Sequence, residues 1–170
     1  LMNILITDGE NRSSLAATRS LGRKGHRIVV SGRFLRNISS ASRYCTKRYE
    51  VADPMESETT YIHDIENILI ENAIDIVLPM TEPTIRALLQ HAAALPDRTR
   101  IASPPWDVME KALDKMLLIK IAQQNNVPTP LSIFIRNRED FFVQQPNSSN
   151  LPFDFPVVVK PYMSRIPTNT

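Results

Sequence analysis

Two lysines occupy positions where an ammonium group could bind a phosphate. Lys160 ends the apolar run PVVV at residues 156–159, a pattern typical of a buried strand. An ammonium at the end of such a strand costs free energy unless it has a partner or reaches water along its own stem. The pattern at Lys160 therefore indicates either a phosphate ligand or a side chain that extends to solvent. Lys115 lies in the segment ALDKM, inside a predicted amphipathic helix.

The glycine-rich motifs of common nucleotide-binding loops do not occur in the sequence. The first predicted turn, from Thr7 to Arg12, contains one glycine, whereas a dinucleotide-binding turn needs several so that its backbone can touch the pyrophosphate. A Walker A sequence is also missing, which argues against nicotinamide-dependent and P-loop enzymes. No metal site is predicted, because four residues lack the spacing of metal ligands: His26, His63, His91 and Cys45.

Alternating apolar strands and amphipathic helices predict the fold that positions these residues. The lengths and the strict alternation indicate an α/β fold, a Rossmann-like, doubly wound parallel sheet. The predicted strands are Asn3–Asp8, His26–Ser31, Tyr49–Ala52, Ile74–Pro79 and Arg100–Ala102. The predicted helices between them are Ser13–Lys24, Tyr61–Ala73 and Pro83–Leu95, and residues 32–49 are predicted to form a long loop.

The pattern changes after residue 104, where two prolines interrupt it. A long helix is predicted over residues 106–125, and the prolines near residue 128 mark a domain boundary. Two further strands are predicted at Leu131–Ile135 and Phe155–Lys160. We therefore predict a Rossmann-like domain over residues 1–104, a helical linker over 105–127, and the incomplete first part of a second, α+β domain over 128–170.

Charge and composition narrow the function classes. The balance of 42% hydrophobic and 22% charged residues is ordinary for a globular protein, and no apolar run is long enough for a membrane span. The lone Cys45 fits a reducing cytoplasm. Residues 11–49 contain no acidic side chain but many arginines, which indicates a solvated basic face or a surface that attracts phosphates. Nucleic acid is the weaker alternative, because no nucleic-acid-binding motif or interleaved aromatics accompany the charge.

The order of several segments resembles the ATP-grasp enzymes, in particular their carbamoyl-phosphate-synthase-like and carboxylate–amine ligase branches. These segments are TDG, RSLGRKGHRIVVSG, IDIVLPMTE, ALDK, NNVPTP and FPVVVKP, and together they extend over nearly the whole chain. The resemblance implies that Lys115 and Lys160 contact ATP phosphates. A glycine-rich loop usually follows the second lysine in this family, but no glycine occurs here, and Ser164 and Arg165 are the candidates to replace it.

The resemblance also implies a substrate role for the ends of the strands in the first domain. Open α/β sheets bind ligands at the carboxyl ends of their strands. Simple capping and turn formation explain the same residue types equally well. The candidates are Thr7, Asp8, Asn11 and Arg12 after the first strand, and Thr81 and Glu82 after the fourth.

The family resemblance implies an ATP-dependent ligase that joins a carboxylate to an amine through an acylphosphate, with ATP and Mg²⁺ as cofactors. The chain alone is expected to be inactive, because the magnesium ligands of the family would lie beyond Thr170. The unpaired edges of the last two strands are expected either to be mobile or to be covered by a second copy of the chain, which would form a homodimer. The alternative is a non-catalytic Rossmann-like module that binds an anionic ligand or a partner chain.

Overall fold

The computed structural model describes residues 1–137, 139 and 156–161. The described chain divides into one compact unit over residues 1–109 and a second that begins at Glu110. The strands of the first unit are β1 (Asn3–Ile6), β2 (Arg27–Gly32), β3 (Cys45–Glu50), β4 (Ile76–Leu78) and β5 (Arg100–Ile101). Its helices are α1 (Arg12–Arg23), α2 (Glu58–Glu71) and α3 (Glu82–Gln90), followed by a 3₁₀ turn at Ala92–Ala94. Two further helices are α4 (Trp106–Leu113) and α5 (Lys115–Gln124).

The five strands form one parallel sheet in the order β3-β2-β1-β4-β5. The chain first builds outward from β1 through β2 to β3, and then crosses to the other side of β1 to add β4 and β5. This is the order of the first five strands of a doubly wound Rossmann sheet. The predicted α/β class and the parallel sheet are confirmed.

Apolar side chains cover both faces of the sheet, as a doubly wound fold requires. Because successive side chains of a strand point to opposite faces, β1 directs Leu5 to one face and Ile4 and Ile6 to the other. Leu5 belongs to the larger cluster, which includes Tyr61 and Ile65 of α2. The smaller cluster packs against α1. The sheet is thus buried between helices on both sides, and its strand ends are the places left for a site.

Three predicted elements of the first 125 residues differ from the structure by four residues or more. α3 ends at Gln90, five residues before the predicted end, and a 3₁₀ turn at Ala92–Ala94 follows it. β3 begins at Cys45, four residues before the predicted strand, because it is an edge strand that pairs only with β2 and carries polar side chains. The predicted helix over residues 106–125 is interrupted at Asp114. The Asp114 carboxylate accepts hydrogen bonds from Met116 N and Leu117 N over 2.9 and 3.0 Å, which starts a new helix.

The two strands predicted for the second domain are not formed in the described residues. Residues 131–135 and 156–160 have no regular secondary structure, and Val158 and Val159 are 80% and 90% exposed. A strand is stable when a neighbouring strand accepts and donates its backbone hydrogen bonds. Among the described residues, neither segment pairs with another strand. The prediction of a buried strand before Lys160 was therefore wrong for residues 156–160.

Asp75 connects three segments at the amino ends of the strands. Its carboxylate accepts hydrogen bonds from Asn3 N over 2.8 Å and from Arg98 Nη2 over 2.9 Å. The Asn3 amide, and after it the Arg98 guanidinium, hold the pKa of Asp75 below its ordinary value of 3.8. Because the folded pKa is lowered, this contribution to stability is present above pH 3.8 and is lost as the pH falls through the folded pKa.

We expect the substitution Asp75→Asn to flatten the loss of stability at acid pH. The asparagine cannot take up a proton, so the variant loses the stabilising charge at neutral pH but has less to lose on acidification. Urea unfolding at pH 7 and at about pH 3 measures the difference in the free energy of unfolding. The control is Asp97→Asn, an exposed carboxylate for which the structure describes no hydrogen bond. Equal pH dependence in the two variants would contradict the role of Asp75.

Candidate functional site

The carboxyl ends of β1 and β4 form the topological switch point of the sheet. The chain leaves β1 toward β2 on one side, whereas β4 lies on the other side of β1. The connections that follow the two strands diverge to opposite faces, which leaves a crevice at the strand ends where open α/β sheets bind ligands. All six residues predicted to bind substrate lie at this edge: Thr7, Asp8, Asn11, Arg12, Thr81 and Glu82.

Asp8 gathers the polar groups of this edge into one hydrogen-bonded cluster, the Asp8 cluster. Its Oδ2 accepts hydrogen bonds from Thr7 Oγ1 over 2.6 Å, from Thr84 Oγ1 over 2.8 Å and from Met80 N over 3.2 Å. Its Oδ1 accepts a hydrogen bond from Thr81 Oγ1 over 3.1 Å. The structure therefore brings Thr7, Asp8 and Thr81 together. It uses their polar atoms to fasten the loop after β4 to the end of β1.

The backbone of Asp8 adopts a left-handed conformation, with a φ of 55°. This region is costly for most side chains, and aspartate and asparagine tolerate it better than others. The turn is held from the other side by Ser14 of α1, which is fully buried. Ser14 Oγ lies 2.7 Å from Asp8 O and 3.0 Å from Thr7 O. Contacts to α1 and to the loop after β4 thus hold Asp8 in this unfavourable backbone conformation.

The remaining candidates at this edge lie at the starts of helices. Asn11 is the N-cap residue of α1, although its side chain makes no capping hydrogen bond, and Arg12 is the exposed first residue of that helix. Glu82 is the half-buried first residue of α3. Arg12 therefore presents a guanidinium to solvent at the switch point, where an anionic group would find it. The substrate-binding roles of these residues stay predictions.

The structure adds two residues that were not predicted for the site. Thr84 lies three residues after Thr81, and this spacing is a capping pattern that the sequence already displayed. Tyr61 of α2 is fully buried in the larger core cluster, and its hydroxyl makes no hydrogen bond among the described residues. Burial, and to a smaller extent the nearby charge of Asp8, raise the pKa of Tyr61 well above its ordinary value. In the sequence, Tyr61 marked only the start of the second predicted helix.

Of the four residues predicted to bind ATP phosphates, two lie among the described residues. Lys115 is the first residue of α5, not an interior helical position as predicted, and it is half-buried. Because Asp114 already accepts hydrogen bonds from the first free amides of α5, a phosphate at this helix start would depend on the Lys115 ammonium. Lys160 is exposed. Ser164 and Arg165 lie outside the described residues.

Both lysines have the chemistry that a phosphate needs. No group of three or more His, Cys, Asp or Glu side chains in residues 1–137, 139 and 156–161 could hold a metal ion.

Burial raises the pKa of the Cys45 thiol, which keeps it protonated and a poor nucleophile. Within the same part of the chain, no helix has the length and apolar character to cross a membrane.

Solved structures share this fold at low sequence identity. The L-amino acid ligase of Bacillus licheniformis matches with a TM-score of 0.58 and 20% identity over 77% of this chain and 32% of its own. The N5-carboxyaminoimidazole ribonucleotide synthetase of Thermotoga maritima matches with 0.55 and 16% identity over 84% of this chain and 36% of its own. The biotin carboxylase domain of Hydrogenobacter thermophilus 2-oxoglutarate carboxylase, solved with MgADP and bicarbonate, matches with 0.57 and 17% identity, over 82% and 32%.

The chain has the fold of the amino-terminal domain of ATP-grasp enzymes. The resemblance stated from the sequence segments is thus confirmed at the level of the fold. The chain spans about a third of the length of the solved proteins named above. No protein-family model and no curated protein sequence matches the chain. The assignment to a carbamoyl-phosphate-synthase-like branch stays a prediction.

Proposed function

We propose that this chain is the amino-terminal part of an ATP-dependent ligase that joins a carboxylate to an amine through an acylphosphate. The observation that carries the proposal is the fold shared with an L-amino acid ligase over 77% of the chain. The Asp8 cluster supports the proposal, because its hydrogen bonds position polar side chains at the switch point. A small substrate would bind there, beside the exposed Arg12.

Lys115 and Lys160 are proposed to offset the negative charge of the ATP phosphates. An ammonium is a compact point charge that suits this role without requiring a bidentate geometry. ATP supplies the phosphoryl group that activates the carboxylate, and Mg²⁺ is proposed to accompany it. The proposal assigns no described residue to the metal. Ser164 and Arg165 are proposed to contact the same phosphates from the segment that follows Lys160.

The direct test is titration calorimetry of magnesium-ATP into this chain and into the longest protein that its gene encodes. We expect the longer protein to bind, and Lys160→Ala and Lys115→Ala each to weaken its affinity at least about tenfold, since each removes a charge-assisted contact. The matched control is Lys111→Ala, which removes an exposed lysine of α4 only four residues before Lys115. This control variant should bind like the parent.

Absence of binding in both proteins would reject the ligase proposal in favour of a non-catalytic module for an anionic ligand or a partner chain. Equal losses in all three lysine variants would point to net charge and would reject the assigned phosphate contacts. A cytoplasmic location and association into a homodimer belong to the same proposal. Sedimentation of this chain tests the homodimer, and a monomer at all concentrations would contradict it.

A further inference from the structure

A basic cleft lies between the second half of α1 and the loop that precedes β3. It has a volume of about 400 Å³ and is lined by Arg19, Arg23, Ala41, Ser42, Arg43 and Tyr44. Because α1 runs antiparallel to the strands, its last turns lie toward their amino ends, away from the Asp8 cluster. The basic cleft is therefore separate from the switch point described above.

Three arginines line the cleft, and none of its lining residues carries a carboxylate. The ion pairs of the described residues involve other cations, namely Arg33, Lys47, His91 and Arg98. No acidic residue occurs between positions 11 and 49. Three exposed guanidinium groups around one cleft create a positive potential that attracts an anion. The carbonyl end of α1 opposes an anion with only about half a charge, which three guanidinium groups outweigh.

The cleft is shaped by specific packing. A Cβ atom at Gly22 would lie only 2.4 Å from Cβ of Tyr44, so glycine is what allows the loop to approach α1 this closely. The Arg43 guanidinium lies 4.8 Å from the centre of the Tyr44 ring, and its Nη2 donates a hydrogen bond to Tyr44 Oη over 2.7 Å. Arg43 is thus held in place, while Arg19 and Arg23, four residues apart, share one side of α1.

The chemistry of the lining selects a particular class of ligand. Guanidinium groups donate paired, charge-assisted hydrogen bonds to phosphate oxygens, and the volume falls in the range of small-molecule sites. No nucleic-acid-binding motif accompanies the basic segment. We propose that the basic cleft binds the phosphate groups of a small phosphorylated molecule, at a site distinct from that of the proposed ligase reaction.

Calorimetric titration with inorganic pyrophosphate tests the proposal on this chain. We expect binding that Arg19→Gln and Arg23→Gln each weaken about tenfold, because each removes charge-assisted hydrogen bonds. The matched control is Arg36→Gln, an exposed arginine of the same loop outside the cleft, which carries the same change in net charge. Arg36→Gln should change the affinity for pyrophosphate less than about twofold. In the parent protein, pyrophosphate should shift the amide resonances of Gly22 and Tyr44, which line or shape the cleft.

Several outcomes would overturn the proposal. The first is that pyrophosphate does not bind, and the second is that all three arginine variants weaken its binding equally. The third is that Lys160→Ala abolishes the binding, which would assign the site to the ATP phosphates. Tighter binding of an oligonucleotide of about 20 residues, falling steeply between about 50 and 200 mM salt, would indicate a nucleic-acid surface instead. Retained binding in Lys160→Ala supports the cleft even if the proposed ligase function fails.

Discussion

Replacing Asp8 with alanine should lower the free energy of unfolding by about 3 kcal/mol. The substitution removes the acceptor for Thr81 Oγ1, Thr84 Oγ1 and Met80 N. It also places alanine at a φ of 55°, where aspartate is better tolerated. The loss is smaller than the sum of the lost bonds, because Thr84 Oγ1 can donate to Thr81 O over 2.9 Å instead.

Urea unfolding of the chain measures this loss, with two comparison variants. Asp8→Asn keeps one oxygen acceptor and tolerates the left-handed conformation, so about half the loss is expected. Asp97→Ala removes an exposed carboxylate from a turn and should stay within about 0.5 kcal/mol of the parent. If Asp8→Ala were as stable as Asp97→Ala, the cluster would not hold the two strand ends together.

The same variants separate a structural role for Asp8 from a substrate role. A carboxylate that only fastens the switch point should affect stability, while the KM of the proposed ligase reaction in the longer protein stays unchanged wherever Asp8→Asn is fully folded. A carboxylate that also contacts substrate should change KM under those conditions. The predicted substrate role of Asp8 therefore has a readout that stability alone does not provide.

The sequence predicted those residues of the candidate site that directly follow a predicted strand. The rule that ligands bind at the carboxyl ends of parallel strands selected Thr7, Asp8 and Thr81, and these three do meet. It could not select Tyr61, which lies on an apolar helix face. Tyr61 and Asp8 are more than 50 residues apart in the sequence, and only the folded structure brings them near each other. Thr84 was readable as a capping residue but not as a donor to Asp8.

The limits of the fold prediction have a different physical origin. Apolar runs identified β1, β2 and β4 because these strands are covered on both faces. The first four of the six residues of β3 were predicted to be part of a loop, because an edge strand carries polar side chains like those of a loop. Residues 156–160 have a strongly apolar sequence but no paired neighbour among the described residues. Sequence pattern reports propensity, whereas pairing decides whether a strand forms.

We expect Tyr61→Phe to raise the free energy of unfolding by about 1–2 kcal/mol. The Tyr61 ring is 1% exposed and packs in the larger core cluster, and phenylalanine preserves these contacts. The hydroxyl is buried without a hydrogen-bond partner among the described residues, so its removal relieves a desolvation cost. Because the charge of Asp8 contributes to the raised pKa of Tyr61, the hydroxyl lies within electrostatic reach of the Asp8 cluster.

Tyr49→Phe provides a control with the opposite sign. Tyr49 Oη accepts hydrogen bonds from Asn72 Nδ2 over 2.8 Å and from Lys47 Nζ over 3.0 Å. Its loss should lower stability by about 1 kcal/mol in the same urea titration. If Tyr61→Phe also lowered stability, the Tyr61 hydroxyl would have a partner in solution. A Tyr61→Phe, Asp8→Asn double-mutant cycle would then show a coupling energy if that partner is Asp8.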